Sequence, residues 1–317
     1  MVQETKIEII MVTKKLAYLL AIVMFVGVGF SSCDKNDYEP MAPIMKGNQV
    51  STSDNIAKSE TRSLSDWKFV EGDETSLLMQ HKSRSWYVVM FDLNKIKLDL
   101  VYELLPNEQL GNDPFLVRRE IESWNKKHTR ARALFNASFF LYKHKLWGEG
   151  LWGGKAKIAH FLSKNGTVIT YGYEDCTTNS ILFLNIYNNY ATIESCTPGT
   201  CPLSSYAYGK RLVVGGLSPF FDKDENKTIG RTMLGLKDSN HDGRYESVYV
   251  FVAKHSKGAT QAEARSVLSN DFGCGSMIMF DGSASSSLSW NGKVKVKGTD
   301  YFVDDRNIPV LIKATKK

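Results

Sequence analysis

One stretch near the C-terminal end, residues 276–288, constrains the fold more than any other. Five residues suited to a buried strand run directly into Asp281, and Gly282 and a run of serines follow. Such a strand holds its carboxylate rigidly at the edge of a sheet, while the small residues leave backbone N–H groups exposed. The stretch therefore predicts a site around Asp281. The alternative is an aspartate that only caps the next turn.

Length and charge place the chain among ordinary globular proteins. Its 317 residues suffice for a substantial core, and 43% hydrophobic with 23% charged residues is typical of folded domains. The formal charge of +6 is scattered and forms no long basic block. We therefore expect no nucleic-acid partner, whereas a mildly basic surface is compatible with acidic or phosphorylated sugars.

The N-terminal segment has the features of an export signal. Two lysines precede an apolar run, 16–30, which is short for a membrane span and suits a signal-peptide core. Two small residues then lead to Cys33, which resembles the lipid-attachment cysteine of bacterial lipoproteins. We predict a lipoprotein signal peptide over 1–33 and a lipid-anchored cell-envelope protein that faces the periplasm or the cell surface. An uncleaved N-terminal anchor is the alternative.

The cysteine count fits an oxidising compartment. Besides Cys33 the chain contains four cysteines, an even number that can form two disulfides in three pairings: Cys176, Cys196, Cys201 and Cys274. The spacing of Cys196 and Cys201 permits a small closed loop, so this pairing is preferred. A zinc site is the alternative, but no histidine stands at ligand spacing.

Composition and pattern divide the rest of the chain into three regions. Residues 34–62 are polar, contain two prolines and lack periodic hydrophobicity, which predicts a flexible tether. Residues 63–130 contain two strand-like runs and one helix and are predicted to form a β-rich platform. Residues 131–317 carry the motifs described below. Strands dominate, and one helix near 260–268 joins two strands, so we predict an α+β fold with a mixed β-sheet and one β-α-β passage.

A second stretch repeats the plan of the first. The apolar segment 131–135 ends on Asn136, and small residues follow. An amide donates and accepts hydrogen bonds simultaneously, so Asn136 can orient a sugar hydroxyl or an attacking water beside a carboxylate. The alternative is an asparagine in a tight turn.

A third stretch presents an arginine at the start of a strand. Gly230 leads directly into Arg231 and Thr232. A guanidinium group matches phosphate bidentately, which favours a phosphate-binding role for Arg231. A surface ion pair is the alternative.

A second carboxylate stands at the start of the predicted helix. Thr260 and Glu263 are in capping-box register, where each satisfies a free backbone N–H of the other. This structural role explains both residues. A role for Glu263 as a second functional carboxylate is the alternative.

The segment between Asp238 and Asp242 resembles the first half of a calcium loop. Tyr249 stands where the closing glutamate belongs. A hairpin turn explains the segment more simply, and Ca²⁺ is the alternative. The sequence indicates no other cofactor.

Taken in order, the motifs resemble the phosphodiester glycosidase family. They lie at 135–140, 230–235, 258–263 and 280–286, and the resemblance covers roughly 131–312. The family usually has Asn-Gly at the first motif, where this chain has Ala137 after the asparagine. It usually has three glycines after the aspartate, where this chain has Ser283 and Ala284 in the second and third places.

The resemblance implies a hydrolase that releases a sugar from a sugar-1-phosphodiester at the anomeric carbon, in extracytoplasmic glycans or glycoconjugates. It implies Asp281 as base or nucleophile, with Asn136 and Glu263 as further catalytic candidates. A phosphate monoester is a good leaving group, so a strong general acid is less necessary than for an ordinary glycoside. The residues implied to contact the sugar or phosphate are Arg231, Thr232, Gly282, Ser283, Ser285, Ser286 and Thr260.

Two alternatives to an enzyme remain at this stage. A non-catalytic, lipid-anchored glycan-binding protein would keep the pocket without turnover. The departure at Ser283 and Ala284 and a tryptophan-rich loop at 147–154 motivate this alternative. An inert structural lipoprotein would leave the three strand-end motifs dispersed in space.

Overall fold

The computed structural model describes residues 64–142, 155–172, 181–195, 204–221, 224–299 and 306–317. Outside these ranges lie the predicted signal peptide with Cys33, the predicted tether and the tryptophan-rich loop. Three of the four other cysteines also lie outside them. Within them, no helix combines the length and the apolar character that a membrane crossing requires.

Most of the strand residues in the described chain belong to one large sheet. Its eleven strands are β1 (Trp67–Asp73), β2 (Ser76–His81), β3 (Trp86–Asp92), β9 (Leu162–Lys164), β10 (Thr167–Thr170), β11 (Ile181–Ile186), β12 (Ala191–Ser195), β13 (Leu212–Leu217), β14 (Arg231–Lys237), β15 (Ser247–Ala253) and β16 (Ser276–Phe280). Nine of them follow the order β1-β2-β3-β15-β14-β16-β13-β11-β12, while β9 pairs with β13 and β10.

Two smaller sheets and two helices complete the described elements. A five-stranded sheet has the order β18-β17-β6-β19-β4, and a three-stranded sheet has the order β5-β8-β7. The strands are β4 (Ile96–Tyr102), β5 (Leu116–Val117), β6 (Ala133–Asn136), β7 (Phe140–Tyr142), β8 (Lys155–Ile158), β17 (Leu288–Trp290), β18 (Lys293–Val296) and β19 (Val310–Lys316). The helices are α1 (Ile121–Lys127) and α2 (Gln261–Ser266), and α2 continues as a π-helix over Val267–Asp271.

The main core lies between the large sheet and the five-stranded sheet. Successive side chains of a strand point to opposite faces, so alternate residues of each strand enter this core. Leu234 and Leu236 of β14 belong to it, whereas Met233 belongs to a second cluster on the other face. Phe91 of β3 and Phe135 of β6 stack across the core with ring centroids 6.2 Å apart.

Each helix covers the outer face of one sheet. Helix α2, its π-helical continuation and the residue that caps it contribute Ala264, Leu268 and Phe272 to the cluster on the outer face of the large sheet. Helix α1 contributes Trp124 to the cluster outside the five-stranded sheet, and its indole Nε1 donates a 3.0 Å hydrogen bond to the carbonyl of Ile308. Both layers bury apolar strand faces that would otherwise meet water.

The fold is predominantly β, which corrects the predicted α+β class with a mixed sheet. Every strand pair within the described ranges is antiparallel. Helix α2 does connect β15 with β16, and these two strands run in the same direction. However, β14 lies between them and pairs antiparallel with both. A helix between two strands therefore predicted their direction, but it carried no information on which strand fills the gap.

Cys274 is a free, buried thiol, so the predicted pairing of all four cysteines in two disulfides is wrong. The thiol packs in the apolar cluster under α2, where it behaves as a small hydrophobic side chain. Burial raises its pKa to about 12, which keeps it protonated and inert. The other three cysteines lie outside the described residues.

The contact between Phe91 and Phe135 predicts where the fold is most sensitive to truncation. Phe91→Ala should lower the free energy of unfolding by about 3–5 kcal/mol, because it leaves a cavity between the two sheets. The matched control is Phe69→Ala in β1, since the Phe69 side chain is 59% exposed. Urea unfolding measures both, and equal losses in the two variants would contradict this description of the core.

Candidate functional site

Seven residues carry the chain from one sheet to the other. Strand β16 of the large sheet ends at Phe280, and β17 of the five-stranded sheet begins at Leu288. We call the intervening residues, 281–287, the crossing loop. Its middle forms a single 3-10 turn, Ser283–Ser285. The small residues after Asp281 therefore have a structural role, because they let the chain pass from one sheet to the other.

Asn136 holds the crossing loop in place. It is buried at the end of β6. Its Oδ1 accepts hydrogen bonds from Thr232 Oγ1 at 2.7 Å and from the backbone N–H of Ser287 at 2.9 Å, and its Nδ2 donates to the carbonyl of Asp281. One amide therefore joins β6, β14 and both ends of the crossing loop. Both lone pairs of Oδ1 are used, which leaves one N–H of Nδ2 for any substrate.

Thr232 and Ser286 belong to the same buried network. Both residues are buried, and Thr232 Oγ1 lies 3.5 Å from Ser286 Oγ. The structure thus brings the strand-end motifs of β6, β14 and β16 together. Thr232 is directed into this network between the sheets.

Asp281 is the member of this group with an unsatisfied polar atom. Its side chain is half-buried, and its Oδ2 is buried without a hydrogen-bond partner in the described ranges. Burial raises the pKa of Asp281, against the positive charge of Arg306, the nearby Ser285 hydroxyl and the backbone N–H of Gly282. Ser285 Oγ is likewise buried; it is close enough to Asp281 to lower its pKa, but it forms no hydrogen bond of standard geometry among the described residues. A buried carboxyl with a raised pKa and an open oxygen is typical of functional sites.

The structure adds two residues that the sequence analysis missed, His255 and Arg306. Burial and the charge of Arg306 lower the pKa of His255, so the imidazole is neutral at neutral pH. Its Nδ1 lies 3.4 Å from Ser283 Oγ and accepts a 3.4 Å hydrogen bond from the backbone N–H of Gly230. Arg306 also acts on Asp281. Neither residue directly follows an apolar run, as Asn136 and Asp281 do: His255 comes two residues after β15, and Arg306 lies shortly before β19.

Ser283 occupies a backbone conformation that favours glycine. Its φ is 51°, in the left-handed region. Its N–H donates a 2.6 Å hydrogen bond to the carbonyl of Gly230, and a Cβ at Gly230 would lie 2.1 Å from the Ser283 carbonyl oxygen. The two backbones are in direct contact, so position 230 has no room for a side chain. The serine stands at one of the positions where the resembled family has glycine.

The guanidinium group of Arg231 serves the backbone of neighbouring segments. Its Nε donates to the carbonyl of Ala259 at 3.2 Å, and its Nη2 donates to the carbonyls of Lys227, at 3.0 Å, and Asp224. Burial lowers its pKa to about 10. The main chain of Arg231 lies beside Gly282, but these contacts direct its charge away from the crossing loop. Arg306 is the cation whose charge acts on Asp281.

Thr260 and Glu263 form the capping box of α2. Thr260 Oγ1 accepts from the N–H of Glu263, whose Oε2 accepts from the N–H of Thr260 at 2.8 Å. The other oxygen of Glu263 forms a 3.0 Å ion pair with Arg84. Both oxygens are thus engaged in structural contacts, and we do not carry Glu263 forward as the second carboxylate.

The segment that resembles a calcium loop forms the hairpin between β14 and β15. Both oxygens of Asp238 accept backbone N–H groups of this hairpin, from His241 at 2.7 Å and Gly243 at 2.8 Å. Asp238, Asp242 and Glu246 each place one carboxylate oxygen within 4.8 Å of the others. Glu246 is a third carboxylate, nine positions into the loop, that the sequence analysis missed.

Comparison with known protein families finds no match for this chain, and comparison with curated protein sequences finds none either. Among solved structures, it is similar to the catalytic domain of zebrafish N-acetylglucosamine-1-phosphodiester alpha-N-acetylglucosaminidase, with a TM-score of 0.47 and 9% identity over 79% of this chain and 82% of that one. A putative exported protein of Burkholderia pseudomallei gives 0.38 and 11% over 78% and 75%. A hypothetical protein from Synechocystis gives 0.36 and 12% over 79% and 61%. With TM-scores below 0.5, these likenesses carry no weight for function.

Removal of the Asn136 amide should destabilise the whole fold. Asn136→Ala leaves the Asp281 carbonyl and the Ser287 N–H without their partner and removes the 2.7 Å acceptor of Thr232, so the free energy of unfolding should fall by about 3 kcal/mol or more. Asn136→Asp keeps the acceptor oxygen but places a second oxygen against the Asp281 carbonyl, so it should also lose stability. Part of this lost stability should return at acid pH, where the protonated carboxyl can donate a hydrogen bond to the carbonyl. The exposed Asn94→Ala is the control for urea unfolding, with an expected change within about 0.5 kcal/mol. A similarly small change in Asn136→Ala would show that the amide does not hold the loop.

Replacement of Ser283 by glycine should stabilise the protein. The left-handed conformation costs a side chain roughly 1–2 kcal/mol, whereas the greater freedom of unfolded glycine costs about 0.5–1 kcal/mol. We expect a net gain of about 0.5–1 kcal/mol in urea unfolding. Ser195→Gly, at the exposed end of β12, is the matched control and should lose about 0.5–1 kcal/mol. If both variants lose stability equally, Ser283 is not strained.

Proposed function

We propose that this chain is a hydrolase that releases a sugar from a sugar-1-phosphodiester at the anomeric carbon. The observation that carries the proposal is the buried, unpartnered Oδ2 of Asp281 beside the charge of Arg306. A carboxyl that can take a proton and a cation that can hold phosphate are the two groups this reaction requires. The order of motifs that resembles the phosphodiester glycosidases supports the same reaction class.

Asp281 is assigned the role of general base. It takes a proton from water as the water oxygen attacks the anomeric carbon, and the bond from that carbon to the phosphate oxygen breaks. A carboxylate with a raised pKa is a stronger base than an exposed one, and it draws a water proton more readily. The departing phosphate monoester carries away the electron pair, so the step needs no strong acid.

Arg306 is assigned to the phosphate, in the place that the sequence analysis gave to Arg231. Its charge acts on Asp281 and His255, whereas the Arg231 guanidinium group bonds to backbone carbonyls. A guanidinium group neutralises the charge that builds on the leaving phosphate. Gly282 and Ser283 supply backbone and hydroxyl groups next to Asp281, and neutral His255 contacts the Ser283 hydroxyl.

We further propose that the enzyme acts outside the cytoplasm on glycans or glycoconjugates, anchored to a bacterial membrane by a lipid on Cys33. The signal-like segment at 1–33 and the polar stretch at 34–62 support this location. The mild positive charge of the chain is compatible with acidic or phosphorylated carbohydrate.

Asp281→Asn should abolish turnover and stabilise the fold. Free sugar released from a panel of sugar-1-phosphodiesters should fall by at least about 100-fold, since the variant cannot accept the proton. In the wild type, release should decline as pH falls through the raised pKa of Asp281.

Folding raises this pKa above 3.8, so the stability that Asp281 contributes is lost as pH rises through the folded value. The variant should therefore unfold at a higher temperature than the wild type at neutral pH, and the difference should vanish in acid.

The exposed Asp66→Asn is the control, with both activity and stability unchanged. Arg306→Gln should raise KM for phosphodiesters, because it removes the charge assigned to the phosphate. Asp66→Asn is the reference for this variant as well. Release that persists in Asp281→Asn would contradict the catalytic assignment. No release by the wild type, together with retained binding of the panel, would favour the non-catalytic glycan-binding protein.

A further inference from the structure

A polar cavity lies away from Asp281, beside the opposite end of β13. Its volume is about 430 Å³, within the range of small-molecule sites. Turn residues between β9 and β10, turn residues between β11 and β12, and residues 209–211 line it. Strand β13 begins at Leu212 next to this cavity, and its last residue, Leu217, pairs with Met279 near Asp281. Five steps along a strand span about 17 Å, so the two sites are separate.

The cavity collects positive charge. Lys210 and Arg211 line it, and no acidic residue does. Arg211 Nε is buried and has no hydrogen-bond partner in the described part of the chain, and burial lowers the pKa of Arg211. The charge of Arg211 also lowers the pKa of Lys317, so the two cations lie near each other. A buried guanidinium nitrogen without an acceptor is the group that an oxyanion would satisfy.

Neighbouring acidic groups offset this charge only in part. Glu194 acts on Lys210, but its two oxygens already accept the hydroxyls of Thr192 and Tyr206. Lys317 Nζ donates to neutral backbone carbonyls, at 2.7 Å to Leu93 and 2.6 Å to Asn188. For Arg211 the effect of burial has no opposing carboxylate. The cavity therefore favours a negatively charged ligand.

The remaining lining residues suit a polyhydroxylated ligand. Asn165, Asn188 and Asn189 are exposed at the cavity, and each amide can donate to and accept from hydroxyl groups. Tyr187 and Tyr190 stack on each other with ring centroids 4.3 Å apart and form an aromatic wall, in which the guanidinium group of Arg244 lies 5.2 Å from the Tyr190 ring centroid. Aromatic surfaces pack against the C–H groups of sugar rings, and amides read their hydroxyls.

We propose that this cavity binds an anionic saccharide, with its phosphate or carboxylate on Arg211 and its ring hydroxyls on the asparagine amides. The inference does not depend on the catalytic proposal, because no residue of the cavity belongs to the Asp281 site.

Isothermal titration of the full chain tests the proposal, with glucose 6-phosphate, glucuronate, glucose and inorganic phosphate as probes. At least one anionic sugar should bind about tenfold or more tightly than glucose, and which one binds better tells phosphate from carboxylate. Arg211→Gln should weaken that binding about ten- to a hundredfold, the loss typical of a charge-assisted hydrogen bond. The exposed Arg130→Gln is the matched charge control and should bind like the wild type.

Two further measurements keep the result unambiguous. Asn189→Ala, at an exposed turn position, should weaken binding of the sugar without changing the unfolding midpoint, so the test survives if Arg211→Gln fails to fold. Arg306→Gln removes the cation assigned to the Asp281 site, so binding that survives in this variant and is lost in Arg211→Gln belongs to this cavity. Equal binding of glucose, binding of inorganic phosphate as tight as that of the sugar phosphate, wild-type affinity in Arg211→Gln, or no binding of any probe would overturn the proposal.

Discussion

The structure depends on a single buried amide. Two sheets packed face to face have no hydrogen bonds between them, so a chain that leaves one for the other must satisfy its backbone within the crossing. Asn136 does this for residues 281–287, because its three hydrogen bonds reach the carbonyl of Asp281, the N–H of Ser287 and the hydroxyl of Thr232. The fixed position of Asp281 follows from this arrangement, since its main chain is held on one side by Asn136 and on the other by the carbonyl of Ala137.

Within that satisfied network, the side chain of Asp281 is an exception. The structure supplies hydrogen bonds to the backbone around it and leaves Oδ2 without a donor. A polar group that is buried in this way costs free energy, and a fold selected for stability alone would fill the position with an apolar or paired residue. The strained φ of Ser283 lies two residues away. Strain and unsatisfied polar groups that concentrate in one loop are the pattern expected of a site whose chemistry opposes its stability.

Local patterns in the sequence predicted the elements of this arrangement, and the long-range pairing decided the rest. Asn136 and Asp281 each follow a short apolar run and precede small residues, and the structure places them in one network. The predicted mixed sheet was wrong because β14, which is close to both strands in sequence, inserts between β15 and β16 and pairs antiparallel with each. Arg306 and His255 do not directly follow an apolar run, and tertiary packing brings the charge of Arg306 to both Asp281 and His255. The number of cysteines could not show that Cys274 is unpaired, because its burial under α2 depends on the tertiary structure.

The two proposed sites are related by the rigidity of the large sheet. Strand β13 runs from the cavity with Arg211 to the neighbourhood of Asp281, and its glycines allow close neighbours on both sides: a Cβ at Gly215 would lie 2.5 Å from His160 Cβ, and one at Gly216 would lie 2.6 Å from the Met279 carbonyl oxygen. A strand packed this tightly does not change length or register, so the separation of the sites is fixed. A glycan with an anionic sugar could be held by the cavity while a phosphodiester elsewhere on it meets Asp281. The affinity of one contact then raises the effective concentration of the other without any movement of the protein.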